Sequence, residues 1–445
     1  MVGIGMAAPG KRIVVVGAGI AGLTAARQLQ QQGHEVRVLE AGPMPGGRVG
    51  ERMVRGIRFN AGARLVYAFS KPFNALLDEI GLTPALVPVR RLSAECVGTA
   101  DRWTVELMPG LSSLLTPGLS LTERLRFVAF GLAALRARTD PDDAASTPAA
   151  DAVTLADHIR DRLGANVLER MVAPVFRGTR CWNPEEVSAA FFASTAPHLV
   201  GKDTVHVFQG GMGRLPQALA DGLAIDCDTR VTRIETSGSG CRIHVEREGQ
   251  NLVHEADLVV CATEGSLASG LFADLDPETR AFFAGVRYNS LGIVHYRLNR
   301  QVEPAMQFFT RAAAGPVATW QQVPGNETTG EAAQLYAQLS PEAVREAIER
   351  GMTDRLDELV SDRVRALYPG LDRDCADLHN QWIARKLPVF YPGYARSMSN
   401  FRERQSASPK KVYFCGDYLA QALITGAAAS GERAARDIAN HWGTP

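Results

Sequence analysis

A short glycine-rich run, Gly17-Ala18-Gly19-Ile20-Ala21-Gly22, most constrains what this chain can become, because of what stands on either side of it. Before it, Arg12-Ile13-Val14-Val15-Val16 is apolar without alternation, the pattern of a strand buried on both faces in a parallel sheet. After it, residues 19–32 carry helical apolar spacing. The glycines therefore fall at a strand-to-helix turn, where each has a physical task. Gly17 permits the tight turn, Gly19 lets backbone approach a pyrophosphate, and Gly22 lets helix and strand pack closely. The helix N-terminus then turns free N–H groups and its positive dipole end toward the phosphates. A second strand over 34–39 ends at Glu40, placed to accept hydrogen bonds from the ribose hydroxyls of an adenosine. A carboxylate there disfavours a 2′-phosphate, so FAD or NAD fits better than NADP.

The segment after Glu40, Ala41-Gly42-Pro43-Met44-Pro45-Gly46-Gly47-Arg48, separates those two cofactors. With it, the chain resembles the flavin-containing amine oxidase superfamily, which includes monoamine and polyamine oxidases, protoporphyrinogen oxidase and the carotenoid desaturases. In that superfamily an acid is followed within a few residues by Gly-Gly-Arg. The resemblance implies FAD, with Gly46, Gly47 and Arg48 against its diphosphate and ribityl chain. Arginine suits the task because its planar fork pairs with phosphate oxygens and keeps its charge. Near the C-terminus, Lys411-Val412-Tyr413-Phe414-Cys415-Gly416-Asp417 resembles the superfamily's last strand and Gly-Asp turn, and Gly426-Ala427-Ala428 opens the final helix. This implies that Asp417 holds a ribityl hydroxyl and that the 426–428 backbone points at the flavin pyrimidine edge. In mid-chain, 217–222 reads as a helix, and Val231-Thr232-Arg233-Ile234 and 256–263 read as strands. By resemblance, Val231 contacts the adenine, while Ala262 and Thr263 lie close to the dinucleotide. No cysteine occurs between 382 and 414, so a covalent flavin link of the monoamine oxidase kind lacks a counterpart.

Because these motifs sit at the start, middle and end of the chain, the expected fold is α/β with a discontinuous Rossmann-like FAD-binding domain, 11–85, 206–286 and 393–445. Residues 86–205 and 287–392 are assigned to an α+β substrate-binding domain of mixed sheet and helix, and 1–10 to a disordered leader. The first insert reads as helical, with helices over 121–138 and 154–171; the second carries a strand over 291–298 and one long helix over 341–367. A length of 445 residues suits two domains. Equal numbers of basic and acidic residues, 48 each, argue against a nucleic-acid partner. Seven scattered cysteines without a CxxC pair point to a reducing, cytoplasmic setting and no structural metal. No run reaches the length of a membrane span, and the oligomeric state is open.

The chemistry is less legible. By resemblance, amine-oxidising members carry a lysine near flavin N5, but the corresponding run, Asn289-Ser290-Leu291-Gly292-Ile293-Val294-His295-Tyr296, has none. Where an aromatic cage would place a tyrosine, the chain reads Leu423-Ile424-Thr425. The stretches 173–180 and 382–394 instead resemble cavity segments of the porphyrinogen oxidases and desaturases. Candidate substrate contacts are Phe176, Arg180, Leu291, Phe390, Tyr391 and Ile424, with Phe176, Phe390 and Tyr391 reading equally well as core. Arg64, after Gly62 and Ala63, would set a cation beside the flavin or a substrate carboxylate, or else form a phosphate or interdomain salt bridge. Arg64 and Tyr391 are the catalytic candidates, and no residue is assigned as acid or base. His295 reads as a satisfied core or interface histidine.

The apolar run 108–135, flanked by Arg124, Arg126, Arg136 and Arg138, reads as a helix covering the cavity in preference to one lying on a membrane. The expected activity is hydride abstraction from a small apolar, cyclic or conjugated molecule, with O2 reoxidising the flavin to give H2O2. Oxidation of an amine or amino acid to an imine is the alternative, Arg64 or Arg180 then holding a carboxylate; a flavin-binding protein without turnover is the second.

Overall fold

The computed structural model describes residues 10–89, 92–200, 204–326 and 330–444. The expected leader, Gly10 apart, lies outside the described residues. A five-stranded parallel sheet runs in the order Ala224–Asp226, Glu35–Leu39, Arg12–Val16, Leu258–Cys261, Val412–Phe414. It is built from three distant stretches of chain. Ile13, Val15, Val38, Leu258 and Val260 enter one apolar cluster, while Val14, Val16, Leu39, Val259 and Cys261 enter another. Both faces of Arg12–Val16 and Leu258–Cys261 are covered, which is why these two central strands read as apolar runs, whereas Glu35–Leu39 keeps Glu35 and Arg37 exposed.

The helix Ile20–Gln31 packs against the final helix, Ile424–Trp442. Their approach is close: a Cβ on Gly431 would lie 2.2 Å from the Ala21 carbonyl oxygen. An antiparallel meander, Thr229–Thr236, Cys241–Arg247 and Gln250–Ala256, returns the chain to the strand Leu258–Cys261.

The second large sheet has seven strands, ordered Cys375–Pro388, Tyr288–Leu298, Gln334–Leu339, Val317–Val323, Ala305–Phe309, Ser93–Val97, Arg102–Glu106. The last two strands come from the insert expected to be helical. Their inward residues, Ala94 and Cys96 against Trp103 and Val105, alternate with outward ones, a period of two that marks half-buried strands. Helices follow from residue 121 onward. The helix Leu121–Ala134 starts at a reciprocal cap, in which Ser120 Oγ accepts the Glu123 N–H and the Glu123 carboxylate accepts the Ser120 N–H.

Two expected helices are interrupted. The run 341–367 forms Pro341–Glu349 and Leu356–Leu367, broken where Gly351 turns at φ +61° and Met352 tucks into the core. The run 154–171 stops after Arg162 because Gly164 adopts φ +118°, and the chain resumes at Ala165. Among the described residues, no helix is long and apolar enough to cross a membrane.

Candidate active site

The glycine turn has the geometry its sequence requires. Gly17 sits at φ +103°, and its N–H donates to the Leu39 carbonyl at 2.8 Å. A Cβ on Gly22 would lie 2.0 Å from the Gly17 carbonyl oxygen, so this glycine is fixed by packing and does not face the cavity. A Cβ on Gly19 would meet nothing within 4 Å. Gly19, with Ile20 and Ala21, opens instead onto a cavity of about 1490 Å3. No side chain caps the helix that starts at Ile20, and its first turn holds no acid, leaving its N–H groups for an anion. Glu40 Oε2 accepts the Ala18 N–H at 2.8 Å, and Oε1 accepts the Gly42 N–H at 2.7 Å. The carboxylate thus ties the two glycine loops together while still bordering the cavity.

Gly46 (φ +123°) and Gly47 (φ +57°) wrap the following loop against Gly19 and lead into Arg48. The Arg48 guanidinium donates to the Lys386 carbonyl at 2.7 Å and forms an ion pair with Asp417 at 2.9 Å. Burial by itself would lower its pKa, but Asp417 outweighs that and raises it, so the charge is held firmly. Ala41, Gly62, Ala63, Arg64, Val231, Ala262, Thr263, Gly416 and Ala427 line the same cavity. Gly426 does not: its Cβ would lie 2.3 Å from the Gln421 carbonyl oxygen, so its smallness serves packing of the final helix. That helix is likewise uncapped at its N-terminus, where Ile424 and Ala427 face the cavity. A strip of glycine backbone, two open helix N-termini and an acid at the second strand's end fit a flavin dinucleotide, and 1490 Å3 exceeds what one ligand needs.

The substrate candidates separate into two groups. Arg180, Leu291 and Ile424 line the cavity. Phe176, Phe390 and Tyr391 do not. Phe176 packs edge-on against Phe191, Phe390 stacks on Tyr394 with full burial, and the Tyr391 hydroxyl donates to the Gly285 carbonyl at 3.0 Å. These aromatics are core, and Tyr391 leaves the set of catalytic candidates. His295 is buried, its Nε2 2.9 Å from Gln381 Oε1, and burial depresses its pKa to about 4. It is a neutral, satisfied interior group.

The residue that sequence reasoning missed is Lys386. The strand Tyr288–Leu298 holds no lysine, but its neighbour Cys375–Pro388 pairs Leu387 with Asn289 and places buried Lys386 on the cavity wall. Lys386 Nζ donates to the Thr179 carbonyl at 2.7 Å, at the C-terminal end of the helix Ala173–Arg180, where a cation is favoured. Burial, then Arg64 and Arg180, nevertheless pull its pKa down to about 7. The available signal was thin: Lys386 is the one lysine of a strand that also carries Asp377, His379, Asn380, Gln381 and Arg385, and it stands directly before Leu387-Pro388. Tyr67, Phe59, Trp382 and Gln381 also line the site.

The family model for flavin-containing amine oxidoreductases matches residues 20–439, nearly the whole chain. The chain belongs to that family. As a flavin-containing amine oxidoreductase it is an FAD-dependent oxidoreductase with both desaturase and oxidase relatives. It is 30% identical over 322 residues to the zeta-carotene-forming phytoene desaturase of Myxococcus xanthus, covering 64% of this chain and 60% of that protein. A shorter match, 40% over 76 residues, relates it to protoporphyrinogen oxidase 2 of Arabidopsis thaliana, covering 17% of this chain and 15% of that protein. The solved structure of putrescine oxidase bound to putrescine shares its fold, with a TM-score of 0.71 at 18% identity over 97% of this chain and 99% of that one. The matches to both curated relatives thus span less than two thirds of their length.

Proposed function

We propose that this flavin-containing amine oxidoreductase is an oxidase or desaturase that removes a hydride from a C–H bond of a small, ring-bearing or conjugated molecule, leaving a new C–C or C–N double bond. Oxygen takes the two electrons and two protons as H2O2. The observation carrying this reading is the single cavity that runs from the glycine turn to the seven-stranded sheet, with room for a substrate beside the dinucleotide. The flavin, when bound, supplies the two-electron chemistry. The protein's residues exclude water with Phe59, Leu291, Trp382, Ile383, Leu423 and Ile424, and they orient the substrate with the polar groups among them. No cysteine lines the cavity, which supports FAD held without a covalent bond.

Purified protein should be yellow, and acid denaturation should release the flavin into the supernatant. Anaerobic mixing with panels of amines, amino acids and partly reduced ring compounds should bleach the flavin for one class, and air should restore the colour with H2O2. Bleaching by none of them would favour a flavin-binding protein without turnover. Bleaching by amino acids would favour imine formation, a reading that Lys386 on the cavity wall keeps open.

The segment 111–135 supports a second proposal, peripheral docking on an anionic lipid surface. No residue of this segment lines the cavity, so the helix does not cover it. Leu121, Leu125, Val128, Leu132 and Leu135 recur every three or four residues and are all exposed, and Leu111 and Leu115 beside them are 84% and 78% exposed. An apolar stripe turned away from the core needs a partner. Arg124 and Arg136 fall on either side of the stripe, whereas Glu123 is buried in its cap, so a second copy of this chain would set arginine against arginine. An anionic bilayer satisfies both features. Sedimentation with phosphatidylglycerol-containing vesicles should carry the protein down, and L125Q/L132Q should abolish this. Self-association without vesicle binding would overturn it.

A further inference from the structure

Three cations meet on one wall of the cavity. Arg64 lies over the Tyr336 ring at 3.9 Å from its centroid. Arg180 lies over Phe191 at 4.5 Å and bonds the Tyr67 side chain. Lys386 reaches the Thr179 carbonyl. Their supports lie on the seven-stranded sheet and its covering helix: Tyr336 belongs to Gln334–Leu339, Lys386 to Cys375–Pro388, and Arg180 ends the helix Ala173–Arg180. The glycine turn that suits a diphosphate lies at the end of the other, parallel sheet.

None of the three forms an ion pair with a carboxylate among the described residues. The acids that border the cavity are engaged elsewhere or face outward. Glu40 accepts the Ala18 and Gly42 N–H groups, Glu264 pairs with Arg385 at 2.8 Å, Asp417 pairs with Arg48, and Asp354 is exposed. Burial pulls Arg64 down to about 10 and Lys386 to about 7, and it lowers Arg180 as well. Keeping three cations here without a carboxylate partner costs desolvation energy that the ring faces and the helix terminus return only in part. Such uncompensated charge marks a place where a ligand brings the opposite sign.

We propose that Arg64, Arg180 and Lys386 form a carboxylate subsite, and that the substrate of the oxidoreductase is a small organic acid. This rests on the reading of the cavity as a flavin and substrate site. The two guanidinium forks, each braced on an aromatic face, suit two-point contact with a carboxylate. Lys386 supplies a point charge held at the helix terminus. A diamine or polyamine meets three like charges here, so the subsite also sets specificity against cationic substrates.

The test uses the flavin-loaded protein and three probes of one shape: benzoate, benzamide and benzylamine, titrated while the flavin absorption bands are followed. Benzoate should give a saturable difference spectrum, with benzamide and benzylamine weaker by about tenfold or more. Arg180→Met and Lys386→Met should each weaken benzoate by about tenfold or more with flavin content unchanged. Should one variant fail to fold, the other and the probe series still decide. Equal binding of benzoate and benzamide, or unaltered benzoate affinity in both variants, overturns the subsite. A protein that takes up no flavin overturns the functional reading instead, and the two failures are distinct because the flavin spectrum is recorded first.

Discussion

Arg48 and Asp417 stand 369 residues apart in the chain and form a two-point ion pair, with Nη1 2.9 Å from Oδ2 and Nη2 donating to Oδ1 at 3.0 Å. The pair joins the loop after the second strand to the turn after the last one. A third bond, from Nη1 to the Lys386 carbonyl, adds the seven-stranded sheet to the same junction.

Replacing Arg48 with Met should therefore lower both flavin retention and stability. Asp417 would be left 8% exposed without its partner, an arrangement that costs about 3–5 kcal/mol when both charges are buried and less here, because Arg48 is 29% exposed. The double variant R48M/D417L should recover much of the urea midpoint but not the flavin. Flavin absorbance per protein and urea unfolding measure the two separately, and a wild-type midpoint in R48M would mean that the pair is no clasp.

Two glycines of the same turn should respond differently to one methyl group. Gly19→Ala places its Cβ in open space, so the protein should fold while binding FAD more weakly, as the methyl intrudes where backbone meets the pyrophosphate. Gly22→Ala forces a contact at 2.0 Å with a carbonyl oxygen, and overpacking of this kind costs about 1–3 kcal/mol or more. Circular dichroism and flavin titration of the two variants would reveal identical behaviour if the distinction were false.

Stability should climb on raising the pH from about 7 toward the ordinary lysine range, through the titration of Lys386. Burial disfavours its charged form most; Cys181 acts the other way, and Arg64 and Arg180 add to the lowering, so the unfolded chain binds the extra proton in that window. Lys386→Met should flatten this rise. On the acid side, His295 is held down to about 4 by burial, against Gln381 and beside Arg64 and His379. Unfolding should therefore become easier as pH falls from about 6.5 to about 4, and His295→Gln should reduce that slope. Urea midpoints across pH, taken on each variant, give both slopes.

Tyr391→Phe should leave flavin reduction unaltered. Its hydroxyl bonds the Gly285 carbonyl outside the cavity, and the loss of one such bond costs about 1 kcal/mol. A large drop in the reduction rate, seen by stopped-flow, would return this tyrosine to the site.

The dinucleotide half of the site was legible because its signals are local. Gly17 needs a positive φ, Gly22 must lack a Cβ, and Glu40 ends a strand, so each requirement is written within a few residues of the turn. The Gly-Gly-Arg and Gly-Asp segments added distant pieces by resemblance. Gly426 shows the limit of that route, since its smallness serves the Gln421 loop rather than the cavity. Segmental errors have equally plain causes. Single glycines at 164 and 351 ended helices whose apolar spacing continued past them, and two short alternating strands were absorbed into a helical insert.

What the sequence determined by itself was the nucleotide turn, the two-faced burial of its strands and the flavin class of chemistry. These depend on backbone conformation and nearest neighbours. Only the tertiary structure decided which side chains share the cavity: Arg64, Arg180 and Lys386 converge there from a loop, a helix end and a strand, while Phe176, Phe390 and Tyr391 turn into the core. The reason is that a strand or helix presents each residue to one face, and which face meets the cavity is set by sheet register and packing between segments hundreds of residues apart.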